Sequence, residues 1–277
     1  MADTVEGLTV IFPMAPSATN LADSLSPWLG VLNNTGRPYE VLLVADGITD
    51  DLRAIIEKIT SKHPRVKLLA LEKPTGFGAC IRLGIAEASQ PLVFYSALGG
   101  GWNPADLPRM LKSIGFKDEY TGRVVELVNG HRRGLPEPSG RKRRRRVFGF
   151  LFRVLYGMWP EPHKGYLGRA ESRYWYRARL QFGLRIGDPN SRFKLFHRRV
   201  LERIVIQSDG EFVHTELLAK ANFLDTMMDE IVLADKCVPG ELPDMSEDRK
   251  KVFSNPKFTT PTTTQAAPPA SPEMTTA

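Results

Sequence analysis

Short runs of apolar and β-branched residues, each closed by turn residues, recur through the first hundred positions: LTVIFP at 8–13, EVLLVA at 40–45, VKLLAL at 66–71 and PLVFY at 91–95. Runs of this length and composition read as buried strands. Between them, 20–33, 51–61 and 78–88 carry apolar residues at helical spacing. Regular alternation of strand and helix predicts a largely parallel sheet with helices on both faces. Ligands of such sheets sit beyond the carboxyl ends of the strands. Those ends are Pro13, Ala45-Asp46-Gly47, Glu72-Lys73 and Ser96-Ala97.

Past this region the pattern changes. RVVELVNG at 123–130 is a further strand candidate, followed by a Pro- and Gly-rich loop, the basic run RKRRRR at 141–146, and a helix-like apolar run, VFGFLFRVLYGMW, at 147–159. Residues 209–222 read as a turn opening another helix and 228–234 as a last strand. From 255 the chain is Thr, Pro and Ala with almost no large apolar residues, which cannot offset the entropy of ordering. The expected organisation is one α/β domain over 1–254 and a disordered tail over 255–277, since 277 residues at 42% hydrophobic suffice for one substantial core.

The net charge of +7 is unevenly placed. Residues 131–203 hold 20 Lys/Arg against 5 Asp/Glu, so +15 sits in that stretch and −8 in the rest of the chain. An anionic neighbour is expected there: phosphate, a lipid surface or nucleic acid. A polybasic cluster beside an amphipathic helix suits a lipid interface, which gives 141–159 a peripheral membrane reading against that of a helix packed on the sheet. Nothing beyond charge and stackable rings (Phe148, Phe150, Tyr156, Trp159) supports nucleic acid. Cys80 and Cys237 show neither disulfide nor zinc spacing and fit a reducing cytoplasm. No leader-like N-terminus and no apolar run of spanning length is present, so the expected location is cytoplasmic, with contact at the inner face of the membrane.

Five segments carry a more specific signal. IFPMAPSATNL at 11–21, VADGITDD at 44–51, PTGFGACIRLGIAEA at 74–88, FYSALGGGWNPADLPRML at 94–111 and FGLRIGDPNSRFKLFHRRVL at 182–201 resemble, in order, segments of the family-2 glycosyltransferases, within them the dolichol-phosphate mannosyltransferase-like branch. The resemblance implies the nucleotide-diphospho-sugar transferase fold of GT-A type, a Rossmann-like mixed sheet with helices on both faces. It also implies a UDP- or GDP-linked sugar donor and a polyprenyl-phosphate acceptor. It places Pro13, Asp46, Gly47, Gly76, Gly78, Arg82, Ala97, Gly99 and Arg132 around the nucleotide sugar, and Asp188, Arg192 and Lys194 at the chemistry. Asp46 can accept hydrogen bonds from a base or ribose; equally, Asp46 and Thr49 can cap the helix starting near Asp51. Gly76 and Gly78 open a helix whose N–H groups can approach a phosphate or simply turn the chain.

The departures fall on the chemistry. Where the resembling family has acidic residues this chain has Pro16-Ser17, Ala45, and Ala97-Leu98-Gly99 in place of the metal-binding Asp-x-Asp. Alanine and glycine offer no side-chain oxygen to Mg²⁺ or Mn²⁺, so no divalent cofactor is expected at the usual site. Arg192 replaces a family glycine, while Asp188 persists. Three readings follow: a metal-independent transferase using Arg82, Arg132, Arg133, Arg192 or Lys194 as cation, a catalytically inactive binding or regulatory relative, and a nucleic-acid binder. His214 and Glu216 form no recognised metal spacing.

Overall fold

The computed structural model describes residues 5–16, 20–99, 101–134, 147, 150, 154, 169–236 and 243–259. Seven strands form one mixed sheet: β1 (Leu8–Met14), β2 (Tyr39–Ala45), β3 (Val66–Ala70), β4 (Leu92–Tyr95), β5 (Leu127–Arg133), β6 (Lys194–His197) and β7 (Met228–Lys236), in the order β3-β2-β1-β4-β6-β5-β7. The first four are mutually parallel; β6 runs antiparallel to β4 and β5, and β7 is parallel to β5. The helices are α1 (Leu21–Asn34), α2 (Asp50–Thr60), α3 (Phe77–Glu87), α4 (Leu107–Ser113), α5 (Arg169–Phe182), α6 (Arg198–Leu201), α7 (Val213–Phe223) and α8 (Ser246–Ser254).

The period of two along each strand divides the core into two layers. Val10 and Phe12 of β1 face α1, α2 and α4, where Trp28 packs on Phe12, Phe94 and Phe193. Ile11 points the other way, to the layer built by α3, α5 and α7 with Tyr95, Phe196 and Phe212. Both layers are apolar, so β1, β2 and β4 read as continuous hydrophobic runs rather than alternating ones.

The expected strands and helices of the first hundred residues are present within a residue or two. Downstream there are differences. The strand expected at 123–130 is β5 at Leu127–Arg133; Val124 bridges to Lys117 in a small hairpin instead. Residues 255–259, assigned to the tail from the sequence, are tied to the domain: Phe258 bridges to Ile204, Lys257 N–H donates to the Gln207 side chain and Thr259 N–H to the Arg203 carbonyl. Apolar Phe258 and two backbone hydrogen bonds account for that order. The basic run 141–146 and most of 147–159 lie outside the described residues; Val147, Phe150 and Val154 are helical and exposed.

Candidate functional site

A cleft of about 440 Å³ opens at the carboxyl ends of β1, β2 and β4. Pro13 and Met14 come from β1, Asp46 from the turn after β2, and Ala97 and Leu98 from the turn after β4. Phe77 and Cys80 of α3 form a wall, and Arg192 and Glu211 close the side toward β6 and α7. This is the location expected for a parallel α/β sheet.

Around the cleft the sequence motifs take up roles of different kinds. Thr49, not Asp46, caps α2, accepting from Leu52 N–H. The Asp46 carboxylate accepts the N–H groups of Thr75 and Gly76, at 2.6 and 3.0 Å, and so ties the turn after β2 to the start of α3. Gly47, at φ +81°, lies against the Pro74 ring. The N–H groups of Gly78 and Ala79 donate to the Asp209 carbonyl. A Cβ at Gly76 or Gly78 would fall inside the contact distance of the Asp209 or Ser208 carbonyl oxygen. Of the two readings of these glycines, phosphate approach or a plain turn, the geometry favours the turn: they let the 208–210 backbone approach, and that backbone consumes N–H groups a phosphate would need. Arg82 is likewise turned to this segment, holding Asp209 at 2.7 Å and the carbonyls of Ile206 and Ser208. Gly99, at φ +83°, stands in the open turn after β4.

Three residues expected at the site form a buried polar network beneath it. Arg132 on β5 makes a two-point ion pair with Asp188, Nε to Oδ2 at 2.7 Å and Nη2 to Oδ1 at 2.8 Å, and reaches Glu171 of α5 at 2.8 Å. Burial alone would raise the Asp188 carboxyl, but the Arg132 guanidinium outweighs it and holds the group at about 2. Burial pushes Glu171 upward despite the same arginine. Lys194 is fully buried, its Nζ donating to Asn129 Oδ1, Ser191 O and Pro189 O, and burial lowers its pKa to about 7. Glu230 of β7 accepts the N–H groups of Gly187 and Asp188. The loop 187–191 is thus held from several sides, with Asp188 and Lys194 facing inward and neither lining the cleft. Arg133 is exposed.

Arg192, next along that loop, does reach the cleft. Its guanidinium lies 5.2 Å over the Phe77 ring and pairs with both oxygens of Glu211, at 2.7 and 3.1 Å. Glu211 also meets His214 Nε2 at 3.2 Å, and His214 Nδ1 lies 3.1 Å from the Tyr95 hydroxyl. His214 is buried, and burial depresses its pKa to about 4, so the ring is neutral at pH 7. Burial, then the Glu211 charge, pushes Tyr95 well above its ordinary value, so its O–H remains a donor. The hydrogen-bond direction is thereby fixed: Tyr95 O–H donates to Nδ1, and Nε2–H donates to Glu211. Burial would raise the Glu211 carboxyl, but the His214 hydrogen bond and Arg192 bring it below the ordinary range. His214 pairs with Glu211, three residues back, while Glu216 binds Lys220 at 2.7 Å. The i,i+3 spacing at a helix start was the available signal.

The described residues around the cleft offer few free side-chain oxygens to a divalent cation. Ala97, Leu98 and Gly99 lack side-chain oxygens, Asp46 spends an oxygen on two N–H groups, and both oxygens of Glu211 are engaged. Among the described residues no group of three or more His, Cys, Asp or Glu could hold a metal ion.

The seven-stranded mixed sheet and its strand-end cleft define an α/β protein of the nucleotide-sugar transferase type. Glycosyl transferase family 2 matches residues 25–205, more than half of the chain, and the chain belongs to that family. Among solved structures, glucosyl-3-phosphoglycerate synthase from Mycobacterium tuberculosis, in complex with Mn²⁺, UDP and phosphoglyceric acid, is similar at 17% identity and TM-score 0.51. That match covers 90% of this chain and 75% of the other. Mannosyl-3-phosphoglycerate synthase from Rubrobacter xylanophilus is similar at 13% identity and TM-score 0.56, covering 90% and 71%. At these identities the likeness is one of fold. No curated protein matches significantly.

Proposed function

We propose that this chain binds a UDP- or GDP-linked sugar in the cleft and transfers the sugar to an acceptor, with the Arg192 guanidinium in place of a divalent metal opposite the diphosphate. The observation that carries the reading is the position of Arg192: it is the cationic side chain lining the cleft, 39% exposed, across from the turn that lacks the metal-binding carboxylates. A fixed guanidinium stabilises a departing diphosphate by the same electrostatics as a metal ion. The Mycobacterium tuberculosis structure named above binds UDP together with Mn²⁺ and phosphoglyceric acid, an anion. A lipid-phosphate acceptor fits the same chemistry, being already ionised and needing no general base. Support for a membrane contact through 141–159 comes from Val147, Phe150 and Val154, exposed by 57, 60 and 64% at helical spacing directly after RKRRRR. No helix among the described residues is long and apolar enough to cross a bilayer.

Calorimetric titration with UDP-glucose and GDP-mannose, with and without Mn²⁺, followed by a sugar-release assay, tests the proposal. Metal-independent binding that Arg192→Ala abolishes, with turnover on addition of a polyprenyl phosphate, is the expected result. Binding of neither donor defeats it. A second reading, a non-catalytic binding protein, is favoured by the burial of Asp188 and Lys194 away from the cleft. Tight donor binding with no turnover on any phosphate acceptor is its signature.

A further inference from the structure

The side chains facing the cleft carry an uneven charge: Asp46 and Glu211 are acidic and Arg192 is basic. Among the described residues a diphosphate entering it meets two carboxylates and one cation, and that cation is already paired with Glu211 through both oxygens. Phosphate oxygens compete with a carboxylate for a guanidinium on equal geometric terms, because both offer two acceptors to the same fork. Arg192 has a side chain 39% exposed and Glu211 only 22%, so the arginine is the partner free to swing. Glu211 is anchored from behind by His214, whose ring is fixed in turn by Tyr95.

Resting on the cleft reading above, we propose that Glu211 recognises a hydroxyl-bearing group carried beside the diphosphate, and that Arg192 masks Glu211 until an anion draws the arginine away. Once Arg192 turns to phosphate, Glu211 retains a single neutral donor, His214 Nε2–H. A half-buried carboxylate left short of donors is costly. Phosphate oxygens cannot donate to it. A sugar hydroxyl can. The cleft therefore distinguishes a sugar nucleotide from the bare nucleotide by a residue that becomes available only after the diphosphate is seated. His214 and Tyr95 are positioning residues in this arrangement, because they act on the ligand through Glu211.

The full-length protein is titrated with pyrophosphate, then with UDP against UDP-glucose and GDP against GDP-mannose. Glu211→Gln, which keeps an acceptor for His214, releases Arg192 and is expected to bind pyrophosphate about tenfold tighter. In the same variant the preference for sugar nucleotide over nucleotide falls by about tenfold. Arg192→Ala loses pyrophosphate binding. If Arg192→Ala loses it while Glu211→Gln binds as the parent or more weakly, masking is overturned and the cleft reading stands. If Arg192→Ala binds as the parent does, or no form binds pyrophosphate, the cleft reading fails and the mask with it. An unchanged sugar preference in Glu211→Gln overturns the hydroxyl role. Should that variant not fold, the parent suffices: the His214 Nε2–H resonance must shift on adding pyrophosphate, and an unmoved resonance overturns the mask.

Discussion

His214 gives this protein a stability that depends on pH between the ring's ordinary pKa and its folded-state value. The ring has a folded-state pKa of about 4 against an ordinary value of 6.5, with burial as the main cause. A group whose folded pKa lies below its unfolded value binds more protons when unfolded, so stability falls as pH falls through that interval. From pH 7 to pH 5 the loss is about 2 kcal/mol, and below pH 4 it levels off at about 3 kcal/mol. Glu211 favours the charged ring, whereas Lys194 and Arg192 oppose it. Burial lowers His197 as well, so the parent's whole pH dependence is not the readout. The readout is the difference between the parent and His214→Gln, which keeps polar contacts without titrating. Urea unfolding at pH 7 and pH 5 should show about 2 kcal/mol less pH dependence in the variant, a gap of roughly 5 °C in Tm. Identical pH dependence in the two proteins would refute the neutral buried ring and the hydrogen-bond direction built on it.

Three other perturbations separate structure from ligand binding. Arg132→Met strands Asp188 as a buried, unpaired charge and should cost about 3–5 kcal/mol in urea unfolding. Gly78→Ala pushes a methyl group into the Ser208 carbonyl and should cost on the order of 1–3 kcal/mol, whereas Thr49→Ala should lose about 1 kcal/mol through its missing cap with donor affinity unchanged.

Much of the sheet was legible because its signals are local. The runs at 8–13, 40–45 and 91–95 are buried on both faces, and such strands are written as unbroken apolar stretches. β6 was not legible: Lys194-Leu-Phe-His is short and begins with a lysine whose burial depends on three acceptors supplied by other residues. α5 was hidden among arginines, although Trp175, Ala178 and Phe182 have the spacing of a buried stripe. The cleft lies at the strand ends that the sequence pattern pointed to, but which of the two readings of the glycines applies was not legible. The partner of the α3 N–H groups is the carbonyl of Asp209, more than a hundred residues away, and no local pattern announces it. Glu211 escaped for the opposite reason, since the first glutamate of SDGEFVHTE carries no signal of its own until His214 and Arg192 converge on it.

The motif GDPNSRFK then divides into two functions that alternate along the chain. Asp188 and Lys194 point inward and hold the loop through Arg132, Asn129 and the loop's own carbonyls; Arg192 points outward into the cleft. Because the inward pair fixes where the outward residue sits, a change at Asp188 or Lys194 weakens ligand binding without touching ligand. Loss of activity in such a variant is therefore no sign of a catalytic contact. Separate measurements distinguish the cases: a variant of Asp188 should lose stability and donor affinity together, whereas Arg192→Ala should lose donor affinity with a smaller loss of stability, because Glu211 is 22% exposed and keeps the His214 donor.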